Sequence, residues 1–405
     1  MNSKLKLMQR LRDLGIKEAF ALLIAFLSLT YAITTAPRMG IDIVPFQHAG
    51  SEWLAGTRQI GEEPAGEYPP STIVLFSILT LVSPEQLRVI WLGLNVASTV
   101  LIFDLLTQWI GHRWPFKAHF YLIALFLSWA PFRVTLRNGQ LGLVITILIL
   151  TMELAQRRQR DLVAGVLLGF SLSKFTLTFP FLLYYLFKGR WKIVGMTLLI
   201  PLILTQIYAF RMHQSLATVI VEYIRSAIQT HLAIYSSYMG SSEIKPLLLG
   251  LTGGNGTLSS GLSIGISLVA LIAMAILFFR TPHCQNAHVA ILTLFGLWTV
   301  YHRVHDSVLC VIPAALLVDF VVKGRFVPWS KCCLAALGLL AISIPGVLTA
   351  RLKFSETQLS ASVLGFLGLH IERMLVFGLF WTLLVLLWMK SRQDIGPVAG
   401  MTRQA

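Results

Sequence analysis

No stretch of this chain long enough to fold as a soluble domain lacks an apolar segment of membrane-spanning size. The interior of a bilayer offers backbone N–H and C=O groups no partner, so a chain that enters it repeatedly must satisfy them within helices or a closed barrel. The apolar runs here have helical lengths. Residues that are 56% hydrophobic and only 13% charged, with a mean hydropathy of +0.73, exceed what a soluble core of this size can hide. The reading is an all-α polytopic membrane protein of about 12 transmembrane helices, forming one domain over residues 1–405.

The formal net charge of +15 would suit a nucleic-acid partner, but the basic residues fall in short clusters between apolar segments. That is the pattern of cytoplasmic loops, so the expected partner is the lipid bilayer and not nucleic acid. Lys4, Lys6, Arg10, Arg12 and Lys17 precede an apolar run over 19–36, read as an uncleaved first helix. The turns around 157–160, 188–192, 280 and 323–331, and the tail over 391–405, read as cytoplasmic by the same rule. The loop over 37–70 carries Asp42, Glu52, Glu62, Glu63 and Glu67 against Arg38 and Arg58, and is expected outside. So are the large loop over 211–258 and the segment 350–373. The four cysteines, Cys284, Cys310, Cys332 and Cys333, have no metal-ligand spacing.

Two regions resist simple alternation. Between the outer loop and the inner turn at 157 lie four apolar segments, over 71–83, 88–108, 117–131 and 139–155, where an odd number of crossings is required. One of them must fail to cross, and the first and third are the short ones. Residues 162–187 are flanked by basic turns on both sides and hold Ser173 and Lys174 in their middle, which predicts a hairpin with a polar tip. Such re-entrant pieces persist in a membrane only where protein or a watery cavity satisfies their backbone. The first outer loop is amphipathic, with Phe46, Trp53 and Leu54 expected at the interface and Gln47, His48 and Glu52 facing water.

Polar groups concentrate on the expected outer face. Arg133 and Arg137 precede Asn138-Gly139-Gln140, Lys174 interrupts an apolar hairpin, and His302, Arg303, His305 and Asp306 form a knot between two spans. Ionisable groups at membrane depth are costly and mark functional paths. Arginine and lysine match phosphate oxygens, and a phosphate held at a membrane surface is what a lipid-phosphate substrate presents.

Asp42, Tyr68-Pro69-Pro70, Asn138-Gly139-Gln140 before an aliphatic helix, Gly165 to Gly169 followed by Lys174 and Pro180, and His302 with His305 ahead of a Pro313-containing helix occur in that order. In these features the chain resembles glycosyltransferase family 87 of the C-type superfamily. The resemblance implies a C-type glycosyltransferase fold and transfer of a sugar, mannose or another hexose or pentose, from a polyprenyl-phosphate donor to a glycolipid or glycan acceptor. It implies Asp42 as the base of an inverting displacement. Tyr68, Arg133, Arg137, Gln140, Lys174, His302, Arg303 and His305 are implied to bind substrate, with no cofactor and no metal. A lipid-sugar flippase would share the broken helices and buried charges. A polysaccharide polymerase or ligase would suit Arg211, His213, Arg225 and His231 in the large outer loop. Oligomeric state is not readable from the sequence.

Overall fold

The computed structural model describes residues 15–39, 42–60, 68–234, 243–300, 302–341 and 363–395. Among them the chain is helical throughout, without a strand. Helix α1 (Ile16–Met39) starts where Tyr121 Oη donates to Glu18 Oε1 at 2.7 Å and Lys117 lies 3.4 Å from the same oxygen. It leads at its other end to Asp42 and α2 (Ile43–Ala55). Helix α3 (Pro70–Phe76) and a 3-10 turn over Ser77–Leu81 remain at that second end, packed on α2. Gln47, expected to face water, is buried: its amide donates to Leu79 O at 2.9 Å and Val82 O at 2.5 Å, carbonyls that the end of the turn leaves without helical partners. Phe46 and Trp53 are likewise buried and not interfacial, whereas Leu54 and His48 are exposed.

Helix α4 (Pro84–Ile110) opens with a reciprocal Ser83–Gln86 cap and crosses to the end where α1 begins. Helices α5 (Phe116–Ser128) and α6 (Ala130–Asn138) cross back as one pair bent by 58°, and α7 (Gly142–Arg157) returns. The arithmetic of the sequence is thereby met: Pro70–Leu81 is the apolar segment that does not cross.

Helices α8 (Asp161–Ser171) and α9 (Phe175–Phe187) are joined by a 3-10 turn over Leu172–Lys174. Together they are long and apolar enough for one crossing, but Arg190 lies 3.7 Å from Asp161, so both ends meet on one side. Gly165 packs on Ile193 and Met196 of α10 (Trp191–Arg211), and Gly169 packs one turn further on, on Thr197 and Ile200, so α8 runs parallel to α10. Helix α9, which links them in the chain, runs back the other way. The expected hairpin is therefore present, with Lys174 at its tip. Eleven residues of α8 rise about 17 Å, so the tip stops near the middle of a hydrocarbon layer of about 30 Å.

A Cβ on Gly165 would lie 2.6 Å from Met196 Cβ and 2.7 Å from Ile193 O. Small residues at this spacing let membrane helices approach closely. Gly165→Leu is expected to force α8 and α10 apart and cost about 1–3 kcal/mol. A thermal unfolding midpoint in detergent equal to that of the parent protein would contradict the packing.

Helices α11 (Leu216–Ile234) and α12 (Lys245–Leu251) follow at the end that carries Asp42. Helices α13 (Gly256–Arg280), α14 (Gln285–Thr299), α15 (Val311–Val322), α16 (Val327–Gly338) and α17 (Val363–Ile395) complete the bundle. A 3-10 turn over Val304–Cys310 leads into α15, which is buried on all sides and forms the centre. By contrast α13 exposes Leu262, Leu268, Val269, Ile272 and Phe279, a surface suited to lipid and not to water.

Seven stretches among the described residues are long and apolar enough to cross a membrane, or eight with the bent pair. The expected count of about 12 also includes α7, α14 and α16, which at 16, 15 and 12 residues fall short by length. The basic turns gather at one end: Arg157 bonds Trp109 O and Asn286, Lys188 bonds Phe278 O, and Asp319 takes Lys323 at 2.8 Å and His112 at 3.0 Å. This basic end lies opposite the one that holds Asp42, termed the site end.

Candidate functional site

Three turns converge at the site end. Helix α6 stops at Gly139, whose φ of +75° is left-handed, and the chain turns there directly against Asp42. Asp42 N donates to Asn138 O at 2.9 Å. A Cβ on Gly139 would lie 2.9 Å from Ile43 Cγ2, so only glycine both takes this conformation and lets the two turns touch. Asp42 occupies the N-cap of α2 without capping it, and its Oδ2 is buried with no hydrogen-bond partner among the described residues. An aspartate at an N-cap ordinarily accepts from the first turn. Leaving a buried acceptor unmade costs about 1–3 kcal/mol, which a ligand hydroxyl would recover.

The hairpin tip supplies the second turn. Thr72 Oγ1, two residues into α3, donates to Ser173 O at 3.1 Å, and Thr178 Oγ1 reaches back to Ser171 O at 3.1 Å. These bonds take up carbonyls freed by the 3-10 turn. Lys174 then points into protein and is 7% exposed. Its Nζ donates to Gln140 Oε1 at 3.3 Å and to Asp306 Oδ1.

Asp306 belongs to the third turn and is 2% exposed. Its Oδ2 lies 3.1 Å from His302 Nδ1, and its Oδ1 lies 3.7 Å from His305 Nε2. The backbone of this turn is held from α6, where Thr135 Oγ1 donates to His305 O at 3.1 Å. A buried carboxylate survives only when it is paired and hydrogen-bonded, and Asp306 is both.

Of the residues expected from sequence, Gln140, Lys174, His302 and His305 thus meet around Asp306, with Asp42 on the adjoining turn. Arg303 begins the same 3-10 turn, its carbonyl accepting from Asp306 N at 2.9 Å. Tyr68 packs edge-on against Phe46 of α2, ring centroids 4.6 Å apart, two residues before the helix that holds Ser173. Arg133 turns elsewhere, donating to Ser28 Oγ of α1 at 2.9 Å and Ser128 O at 2.5 Å. Arg137 stays beside its neighbour Asn138 Oδ1 at 3.4 Å.

A second polar group at the same end has no counterpart in the sequence reading. Arg373 of α17 donates to His370 Nδ1 at 2.6 Å, and beside it Glu372 is buried with both carboxyl oxygens lacking a hydrogen-bond partner among the described residues. Glu243, 3% exposed, is tied to the end of α14 by Ile244 N donating to Trp298 O at 3.0 Å. The visible signal was Glu372-Arg373 inside an apolar run, a pair of charges that lipid would not tolerate.

Burial pushes the Glu243 carboxyl up to about 7, against the opposing pull of Lys245 and Arg373. The folded protein therefore holds a proton that the unfolded chain releases near pH 4.5, so stability from this group is full below that pH and is lost as pH rises to about 7. Glu243→Gln is expected to flatten the fall in unfolding temperature between pH 4.5 and 7 in detergent. An equally steep profile in the variant would contradict the assignment.

The family model for Glycosyltransferase family 87 matches residues 67–302, more than half of the chain. Tyr68, Arg133, Arg137, Gln140, Lys174 and His302 lie within that range; Asp42, Arg303, His305 and Asp306 lie outside it. No curated protein and no solved structure matches the chain.

Proposed function

From the premise that the chain belongs to glycosyltransferase family 87 and is a membrane glycosyltransferase, we propose that it moves a sugar from a polyprenyl-phosphate donor to a hydroxyl of a lipid- or glycan-borne acceptor. The donor sugar is a hexose or pentose, mannose among the candidates. The observation that carries this reading is the Asp42 carboxylate, on the turn that bonds Asn138 two residues before the Gln140 engaged by Lys174, with one oxygen buried and unbonded among the described residues. Asp42 takes the proton of the acceptor hydroxyl as the acceptor oxygen attacks the anomeric carbon, the bond to the donor phosphate breaks, and configuration inverts. One carboxylate suffices, because a phosphate leaves without the protonating acid that a glycoside hydrolase needs.

The leaving phosphate carries growing charge, which fixed cations stabilise. Lys174 reaches Gln140 on the turn that meets Asp42, and it already serves Asp306. A phosphate arriving there shares Lys174 with that carboxylate, with Arg303 adding charge from the same turn as Asp306. Asp306 holds His302 through Nδ1, which turns the opposite edge of the imidazole outward from the pair. Arg133 and Arg137 line the α1 side of α6 and would meet a donor approaching from there.

Transfer of radiolabelled sugar from a synthetic polyprenyl phosphate in liposomes tests the reading. Transfer from nucleotide sugars with none from lipid phosphates would overturn the donor. The bundle is set with its basic end in the cytoplasm and its site end outside, following the lysine and arginine bias. Cysteines introduced at exposed Thr57 and Arg158 discriminate: an impermeant thiol reagent applied outside is expected to label position 57 and to spare 158. The reverse would invert the orientation.

A further inference from the structure

At the basic end, opposite the candidate site, the tips of α7, α14, α15 and α17 enclose a cavity of about 340 Å³. Four cations line it from three separate places: Arg157 at the end of α7, Lys323 and Arg325 in the turn after α15, and Lys390 of α17. Asp319 is the acid in its wall, and it is engaged by Lys323 at 2.8 Å and by His112 at 3.0 Å. Arg157 is fixed by Trp109 O and Asn286 Oδ1, yet among the described residues its Nε is buried without a hydrogen-bond partner. The positive-inside rule explains basic residues scattered on loops. It does not explain four of them turned into one cavity, where like charges repel unless an anion joins them.

Beside the polar His283, Gln285 and Asn286, the wall carries an apolar part, with Phe320 and Phe326 after α15 and Leu386 and Leu387 of α17. Exposed Trp191, Trp329 and Trp388 ring this end of the bundle, and Arg392 stacks over Trp388 at 4.4 Å. Tryptophans of this kind mark the headgroup level of a bilayer. A basic cavity with an apolar wall at that depth suits an amphiphile whose charge is a phosphate. We infer that this cavity binds the phosphate headgroup of an anionic phospholipid, a site separate from the one that handles the sugar donor and independent of how that donor is assigned.

The test uses the full-length protein in nanodiscs or detergent, with lipid binding read by native mass spectrometry and by thermal stabilisation. Phosphatidylglycerol and cardiolipin are compared with phosphatidylcholine and with inorganic phosphate. The anionic lipids are expected to bind and stabilise, and phosphatidylcholine is not. Arg325 is exposed and Lys390 half-exposed, so the Arg325→Ala/Lys390→Ala variant keeps the fold, checked by its unfolding temperature without added lipid. Two charges lost at about fivefold each should weaken anionic-lipid binding about 25- to 30-fold. The Arg325→Lys/Lys390→Arg variant retains the charge and should retain the binding. Equal binding of zwitterionic and anionic lipid, or unchanged affinity in a folded double-alanine variant, would overturn the proposal. Displacement of the lipid by millimolar inorganic phosphate would overturn the lipid assignment in favour of a soluble phosphate.

Discussion

Asp42→Asn is expected to bind the donor normally and to lose about 100- to 10,000-fold in sugar transfer, the range that a positioned general base supplies. The substitution keeps the shape of the side chain, and among the described residues α2 is not capped by its carboxylate and Oδ2 has no partner to lose. Turnover and folding should therefore separate, with unfolding temperature unchanged or slightly raised. Asp42→Glu should retain a trace, because a misplacement of about 1 Å can cost on the order of 100-fold. Transfer from lipid phosphate in liposomes, beside an independent measure of donor binding, decides it. Near-normal transfer by the folded Asn variant would remove Asp42 from the chemistry and turn attention to Glu52, Glu67 or His302.

Lys174→Met and Asp306→Asn are each expected to cost about 3–5 kcal/mol of stability, because either leaves the other charge buried without compensation. The double variant Lys174→Met/Asp306→Leu should recover most of that loss, since an apolar pair of similar volume replaces a pair whose attraction largely offsets its desolvation. Sugar transfer should not recover with the fold. That split distinguishes a bond that only holds the hairpin tip from one whose cation also meets the phosphate. Single variants as stable as the parent in detergent would mean that the pair bears little of the structure.

The architecture was legible where lysine and arginine clusters reported it. The turns at 157–160, 188–192 and 323–331 do share one end, and the doubly basic flanks of 162–187 did announce a hairpin. The neighbourhood of Asp42 was less so: Asn138 and Asp42 meet by a backbone bond, which no pattern of side chains encodes. Lys174 and Asp306 lie 132 residues apart, and although Asp306 stood visibly in the knot after His302, nothing local told which cation it would take. Arg133 illustrates the opposite limit. Its helix was placed at the site end, but an α-helix has several faces, and Ser28 of α1 claimed the one that bears it. Segments 71–83 and 117–131 were alike in length; what separates them is that Trp129 bends the second without stopping it, while the first is held beside α2 by Gln47 and Gly50. The basic cavity was hidden because the same residues answered fully to the positive-inside rule.

The hairpin tip also sets an order of assembly. As the chain is synthesised, residues 161–187 emerge before either of the contacts that settle them: α10, against which Gly165 and Gly169 close, comes next, and Asp306 follows only after a further hundred residues. Until then Lys174 sits in the nascent bundle as an uncompensated charge, and an apolar stretch of 27 residues is long enough to be threaded straight through. Threading it would reverse every later helix. With the basic end cytoplasmic, as proposed, the charge of Lys188, Arg190 and Lys192 would hold them on the near side, drawing the newly made stretch back into a loop before its counter-ion exists. On that orientation membrane insertion and site formation are sequential: the loop is fixed by charge early, and the Lys174–Asp306 pair forms only once the last third of the protein has begun to emerge.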